Sequence, residues 1–167
     1  MERRLRELLG AVSHPPESPI PAGIADGALR DFERRTGLVL SPEHEALLQL
    51  SNGPCVGPGG IFGIGTARES LDIEKIYATN PRWLELRWIP VAGDGCGNYY
   101  LAVPCVDTMA DPEAASYVVA SDVLRFAEVL LDKEMGAVGW PFDAAVVLRE
   151  DPGLARFEGR LPLPWSE

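Results

Sequence analysis

The run Leu48–Gly65, LQLSNGPCVGPGGIFGIG, sets six glycines in eighteen residues, and its reading decides the fold. A phosphate-cradling loop leaves a strand and enters a helix, so that the helix's first amides and its dipole face the anion. Here the order is reversed. The spacing predicts a helix ending at Ser51, then glycines, then a strand opening near Ile61. No G-K-[ST] is present, and the start Gly57-x-Gly59 meets Phe62 where a third glycine belongs. The glycines read as a helix stop, a crossing and a strand start. They turn the chain.

Upstream, LVLSPEHEALLQLSNG predicts extended residues Leu38 to Leu40, then a helix with Ser41 as N-cap. Pro42 falls at the first helical position, where its missing donor costs nothing. Leu47 and Leu48 turn inward with Ala46 and Leu50 beside them, and Asn52 and Gly53 suit a left-handed helix end. Before it, DGALRDFERRTG predicts a helix capped by Asp26, buried through Leu29 and Phe32 and closed by Gly37. At the start, Leu5, Leu8, Leu9 and Val12 share one helical face. Between these helices SHPPESPIPAG carries four prolines in eleven residues and predicts a linker.

Downstream the pattern turns to β. GGIFGIGT, RWIPVAGD and NYYLAV (Asn98 to Val103) predict strands, and the Asp94-Gly95 pair between the last two predicts a hairpin. LDIEKIYATNP fits a helix through Ile73, Ile76 and Tyr77, yet also contains strand formers. A strand over Ser116 to Ala120 follows. SDVLRFAEVLLDKEMG is then an amphipathic helix capped by Ser121 or Asp122, buried through Val123, Leu124, Ala127, Leu130 and Leu131. A short helix over Phe142 to Asp151 precedes the proline-rich LPLPWSE. Helices, then short strands, then helices, without βαβ alternation, predict an α+β fold: a mostly antiparallel sheet flanked by N- and C-terminal helices. The length of 167 residues predicts a single domain, 1–167, able to bury about two-thirds of its unfolded surface.

Composition narrows the function. A net charge of −10 repels a phosphate backbone, which argues against nucleic-acid binding. The excess carboxylates serve solubility or attract a basic protein. No run approaches the ~18 apolar residues of a membrane span, and MERRLRELLGAV lacks the apolar centre of a secretory signal. Three cysteines, Cys55, Cys96 and Cys105, cannot all pair within the chain; free thiols and a cytoplasmic location are expected.

Reactive groups are sparse. Nucleophilic catalysis needs a base, and the chain has His14, in the proline linker, and His44, in the first turn of a helix. There an imidazole reads as an exposed surface group whose charged form the dipole disfavours. Glu43 and Glu45 are two apart and point to different helix faces. Asp107, Asp111 and Glu113 lack the alternation of a calcium loop and read as a solvated turn. No cysteine or histidine pair has chelating spacing. The expectation is no enzyme, no cofactor and no metal.

Three pieces in order resemble the SUKH superfamily: LVLSPEHEALLQLSNG its signature helix, WIPVAGDGCGNYYLAV its strand–turn–strand, and VVASDVLRFAEVLL its closing strand and helix. They cover about Ile20 to Leu131, and the C-terminal tail resembles extensions of bacterial members. Pro54 stands where members often carry a second glycine. His44, Ala46 and Leu47 occupy the part of the helix where an aromatic residue is common, and Ala102 replaces a frequent acid. The resemblance implies a non-catalytic binding protein: a bacterial immunity protein that blocks a cognate toxin, often a nuclease, or a regulator of cell-wall synthesis acting as a scaffold. A small enzyme or ligand-binding domain is the third alternative, and it requires a deep polar pocket. For a basic toxin partner, the expected contacts lie at the hairpin turn, Asp94 and Asn98, with Tyr99 or Tyr100 beside it, since loops carry recognition on rigid scaffolds. Adjacent strand tyrosines face opposite sides, so one of the pair belongs to the interior. A plain turn with core tyrosines is the competing reading.

Overall fold

The computed structural model describes residues 2–12, 19–102, 105–107, 117–137 and 143–165, with the backbone alone at 105–107. The leucine spacing of the first segment makes α1 (Glu2–Ala11), which buries Leu5, Leu8 and Leu9. α2 (Asp26–Thr36) buries Leu29 and Phe32 and ends at Gly37, whose φ of 70° lets its N–H reach Glu33 O. Its cap differs from expectation. Ala25 holds the N-cap position without a side-chain bond, and Asp26, one residue inside, accepts from Gln49 Nε2 at 2.7 Å. Asp26 thus ties α2 to α3 (Pro42–Leu50), which starts as predicted, with the Ser41 hydroxyl accepting His44 N–H and Pro42 in the first turn.

The remaining helices are α4 (Ile73–Thr79), α5 (Pro81–Glu85), α6 (Val123–Glu134) and α7 (Ala144–Glu150). The ambiguous segment is therefore helical. The Asp72 carboxylate settles it by capping Glu74 N–H at 2.8 Å and Lys75 N–H at 3.4 Å. Asp122, not Ser121, caps α6. Both α5 and a 3₁₀ turn over Pro152–Phe157 went unpredicted, because each is a short piece opened by proline without a full apolar period.

Four strands, β1 (Ile89–Gly93), β2 (Tyr99–Ala102), β3 (Cys105–Asp107) and β4 (Tyr117–Ala120), form an antiparallel meander in chain order. The fold is α+β. Val91 is an extra residue in the β1–β2 ladder, a bulge between Pro90 and Ala92. The glycine-rich segment does not form the predicted strand. It makes two isolated bridges, Ile61 to Ala92 and Gly63 to Asp72. Phe62 N–H donates to Val91 O at 2.7 Å and Gly93 N–H to Gly60 O at 3.1 Å, so this segment covers the β1 edge. Hydrogen bonds alternating with tight glycine turns leave too few consecutive paired residues for a strand. At the other edge, Val118 N–H of β4 donates to Pro162 O. Asp111, Glu113, Trp140, most of the proline linker (13–18) and Val103 lie outside the described residues.

α1 packs on α6 and α3, α3 on α6, and α4 on β1. One hydrophobic cluster runs from Leu5 to Leu163 through all these layers. The C-terminal segment is bolted on by polar bonds as well. Asp151, 5% exposed, accepts Ser121 N–H at 2.8 Å, and Arg156 donates to Ser121 O at 2.7 Å.

Candidate functional site

The hairpin tip between β1 and β2 is built around Asp94. One carboxylate oxygen accepts Cys96 N–H at 2.7 Å and Asn98 N–H at 2.9 Å, and the other accepts Asn98 Nδ2 at 2.6 Å. Burial opposes the charge, but the bonds from Cys96, Asn98 and Gly97 outweigh it and hold the carboxyl below its usual value. A local Asx turn is thus fixed by its own side chain. Gly95, Cys96 and Gly97 are exposed at its crest, and Asp94 and Asn98 are half-exposed.

The two tyrosines that follow divide as strand geometry requires. Tyr99, half-buried, stands edge-on to Trp83 with centroids 4.9 Å apart, and also meets Phe62 at 6.0 Å. Tyr100, 6% exposed, lies 4.8 Å from Phe126 of α6. Tyr100 therefore belongs to the core in this conformation and offers a partner no surface; it anchors the strand that carries the tip. Cys55 and Cys96 are free thiols. Among the described residues no three His, Cys, Asp or Glu side chains gather to hold a metal ion, and no helix is long and apolar enough to cross a membrane.

His44 departs most from expectation. It is completely buried, and neither ring nitrogen has a hydrogen-bond partner. Burial alone lowers its pKa to about 4, so the ring is neutral in the fold at pH 7. The cause is packing: α3 lies against both α1 and α6, and His44 shares the inward face with Leu47 and Leu48, three and four positions on. That spacing was visible in the sequence; weight given to the polar ring hid it.

A second polar centre that sequence reasoning missed is Asn52. Its amide closes a two-bond fork on Ile64, with Nδ2 donating to Ile64 O at 2.9 Å and Oδ1 accepting Ile64 N–H at 2.8 Å. Of the Asn-Gly pair, Gly53 alone adopts positive φ, at 79°. A side chain on Gly63 would lie 2.6 Å from Gly53 N and from Asn52 Oδ1, so the bare backbone there is required by close approach. The glycines and Asn52 together clamp the loop against the helix end. Asn52→Ala strands the backbone groups of a residue only 5% exposed, and we expect a loss of about 2 kcal/mol. A shift of the urea midpoint at constant slope measures it; no shift contradicts the fork.

Several surface arginines are held by carboxylates. Arg30 forks Glu45 at 2.7 and 2.9 Å and reaches Glu33 at 2.6 Å, while the other Glu33 oxygen accepts Leu40 N–H. The Leu40 amide and the Arg30 guanidinium hold the Glu33 carboxyl below its usual range. Arg35 binds Glu74, and Arg4 binds Asp132. These carboxylates and guanidiniums link α2 to α3, α2 to α4 and α1 to α6. They serve the scaffold.

The profile of the SMI1 / KNR4 family (SUKH-1) matches residues 23–128. Searches of the curated proteins and of the solved structures give no match. α1, α7 and the closing 3₁₀ turn lie outside the matched span, yet Leu5, Leu154 and Leu163 share the one core. With close to two-thirds of its length matched, the chain belongs to the SMI1 / KNR4 family (SUKH-1).

Proposed function

We propose, from this membership, that the chain is a non-catalytic protein-binding module of the immunity type, which occludes a basic toxin. The observation that carries the reading is the net charge of −10 on a member of this family. Opposite charge speeds the encounter and disfavours like-charged competitors. The hairpin tip is the contact we assign. Asp94 and Asn98 meet the partner there with the half-buried Tyr99 beside them, and Tyr100 holds the strand from behind. A tip already fixed by its own hydrogen bonds loses little freedom on binding. A cytoplasmic location beside the toxin belongs to the same reading. The alternative role for this family, a scaffold in cell-wall synthesis, predicts several weak partners in place of one tight one.

Co-expression with the toxin domain encoded next to the gene tests the reading. Cells survive and the two proteins copurify if it is right; continued killing with no copurification opposes it. Asp94→Ala sharpens the test. Losing three short-range bonds frees the Cys96 and Asn98 amides, and their hydrogen exchange rises at least tenfold while the global melting point moves little. Toxin capture should weaken by a factor of about ten, corresponding to ~1.4 kcal/mol.

A further inference from the structure

Away from the hairpin, an open groove of about 900 Å³ runs between the segment 19–22 and the turn 65–68. Its size falls in the range of ligand sites, about 300–1,000 Å³. Both walls are fixed by buried polar groups. The Ser51 hydroxyl, on a residue with no exposure, donates to Pro21 O at 3.0 Å, and Asn52 N–H donates to Ala22 O at 3.1 Å. On the far side Asp72, 6% exposed, accepts Thr66 N–H at 2.9 Å, and the Thr66 hydroxyl donates to Arg68 O at 2.8 Å. The groove therefore exists before any ligand arrives.

Its charge is unlike that of the molecule. Among the described residues Arg68 is the one charged side chain lining it, in a chain of net charge −10. Among the described residues Arg68 forms no ion pair. Its Nη1 donates to the Cys55 thiol at 2.8 Å, which leaves the rest of the guanidinium fork for another acceptor. Arg30, Arg35 and Arg4, by contrast, are held by carboxylates. The rest of the lining is mostly proline, alanine, glycine and leucine, with the polar groups of Asn52, Thr66 and Cys55 among them, a surface suited to an extended peptide.

We infer that this groove binds an extended, carboxylate-bearing peptide segment of a protein partner, with Arg68 gripping the carboxylate and Cys55 lying beneath it. A planar guanidinium matches a carboxylate in a two-bond fork. The site is independent of the hairpin tip, so its fate does not depend on the immunity reading.

Cys55 supplies the reporter. The full chain is labelled with iodoacetamide, and modification of Cys55 is followed peptide by peptide, with the exposed Cys96 as internal control. The probes are acetyl-triglutamate, acetyl-triglutamine amide and inorganic phosphate. The expected result is that millimolar triglutamate slows Cys55 labelling at least threefold and leaves Cys96 unchanged, while triglutamine and phosphate do neither. Arg68→Gln should abolish the protection, and Arg68→Lys should retain part of it, both with unchanged urea midpoints. Equal protection by triglutamine, equal protection by phosphate, protection that survives Arg68→Gln, or no protection at all would overturn the assignment.

Discussion

Trp83→Ala will cost about 3–5 kcal/mol of folding stability, among the larger single losses a core can suffer. The indole is 1% exposed, on the short helix α5, and receives the edge of Tyr99 from β2. Truncation empties a cavity between helix and sheet and removes the ring contact, which adds to the area lost. For a chain of 167 residues the melting temperature should fall by on the order of 10 °C. The hairpin is the second readout. With the Trp83 contact of its ring lost, Tyr99 and the tip beyond it should exchange amide protons faster than α6 does. Trp83→Phe keeps an edge-to-face partner and should recover more than half of the loss. A Trp83→Ala midpoint shift worth less than about 1 kcal/mol would contradict this packing.

Acidification will destabilise the fold through His44 before its carboxylates titrate. In the folded chain the imidazole takes a proton only near pH 4, whereas its ordinary value is 6.5. Between those values the unfolded chain holds more protons, so folding stability declines as pH falls. The contribution is complete above pH 6.5, drops by up to about 1.4 kcal/mol per pH unit below it, and levels off near pH 4. The total reaches about 3 kcal/mol. Glu33 and Asp94, whose folded values are lowered, act further down: their stabilisation is full above their unfolded values near 4.5 and 3.8 and is lost below them. His44→Leu separates the two. It should flatten the decline between pH 6.5 and 4 and raise stability at pH 7, since two orphaned ring nitrogens leave the core. Urea unfolding at four pH values reads both effects; an unaltered pH slope in the variant would contradict the burial.

The α+β architecture was readable because its largest signals are local. Ser41-Pro42 starts α3, leucines three and four apart bury α1, and Asp94-Gly95 between apolar runs makes the hairpin. What stayed hidden depends on partners distant in sequence. Asp26 reads as a cap until Gln49, twenty-three positions away, is seen to claim its carboxylate. The Asn52 fork needs Ile64, and the role of Asp151 needs Ser121, thirty positions earlier. β3 was missed because three residues are too short a run to show alternation. The glycine segment was read correctly as a turn and wrongly as a strand, for a strand requires the neighbouring β1 edge and here gains only two bridges.

The candidate site was half legible. Sequence located the tip and its acid, and it required Tyr99 and Tyr100 to face apart. Which tyrosine lay inside depended on Phe126 and Trp83, from helices on opposite sides of the sheet. The groove beside Arg68 had no linear signature at all, since its walls come from segments far apart in the sequence, 19–22 and 65–68.

Isothermal titration of the purified chain with the basic toxin domain proposed as its partner, at low and at physiological salt, tests the proposed recognition. Recognition by an acidic surface predicts a one-to-one complex of about nanomolar affinity, weaker as salt rises, with toxin activity falling in step with the complex formed. Absence of heat and an undiminished toxin, or binding indifferent to salt, would contradict it.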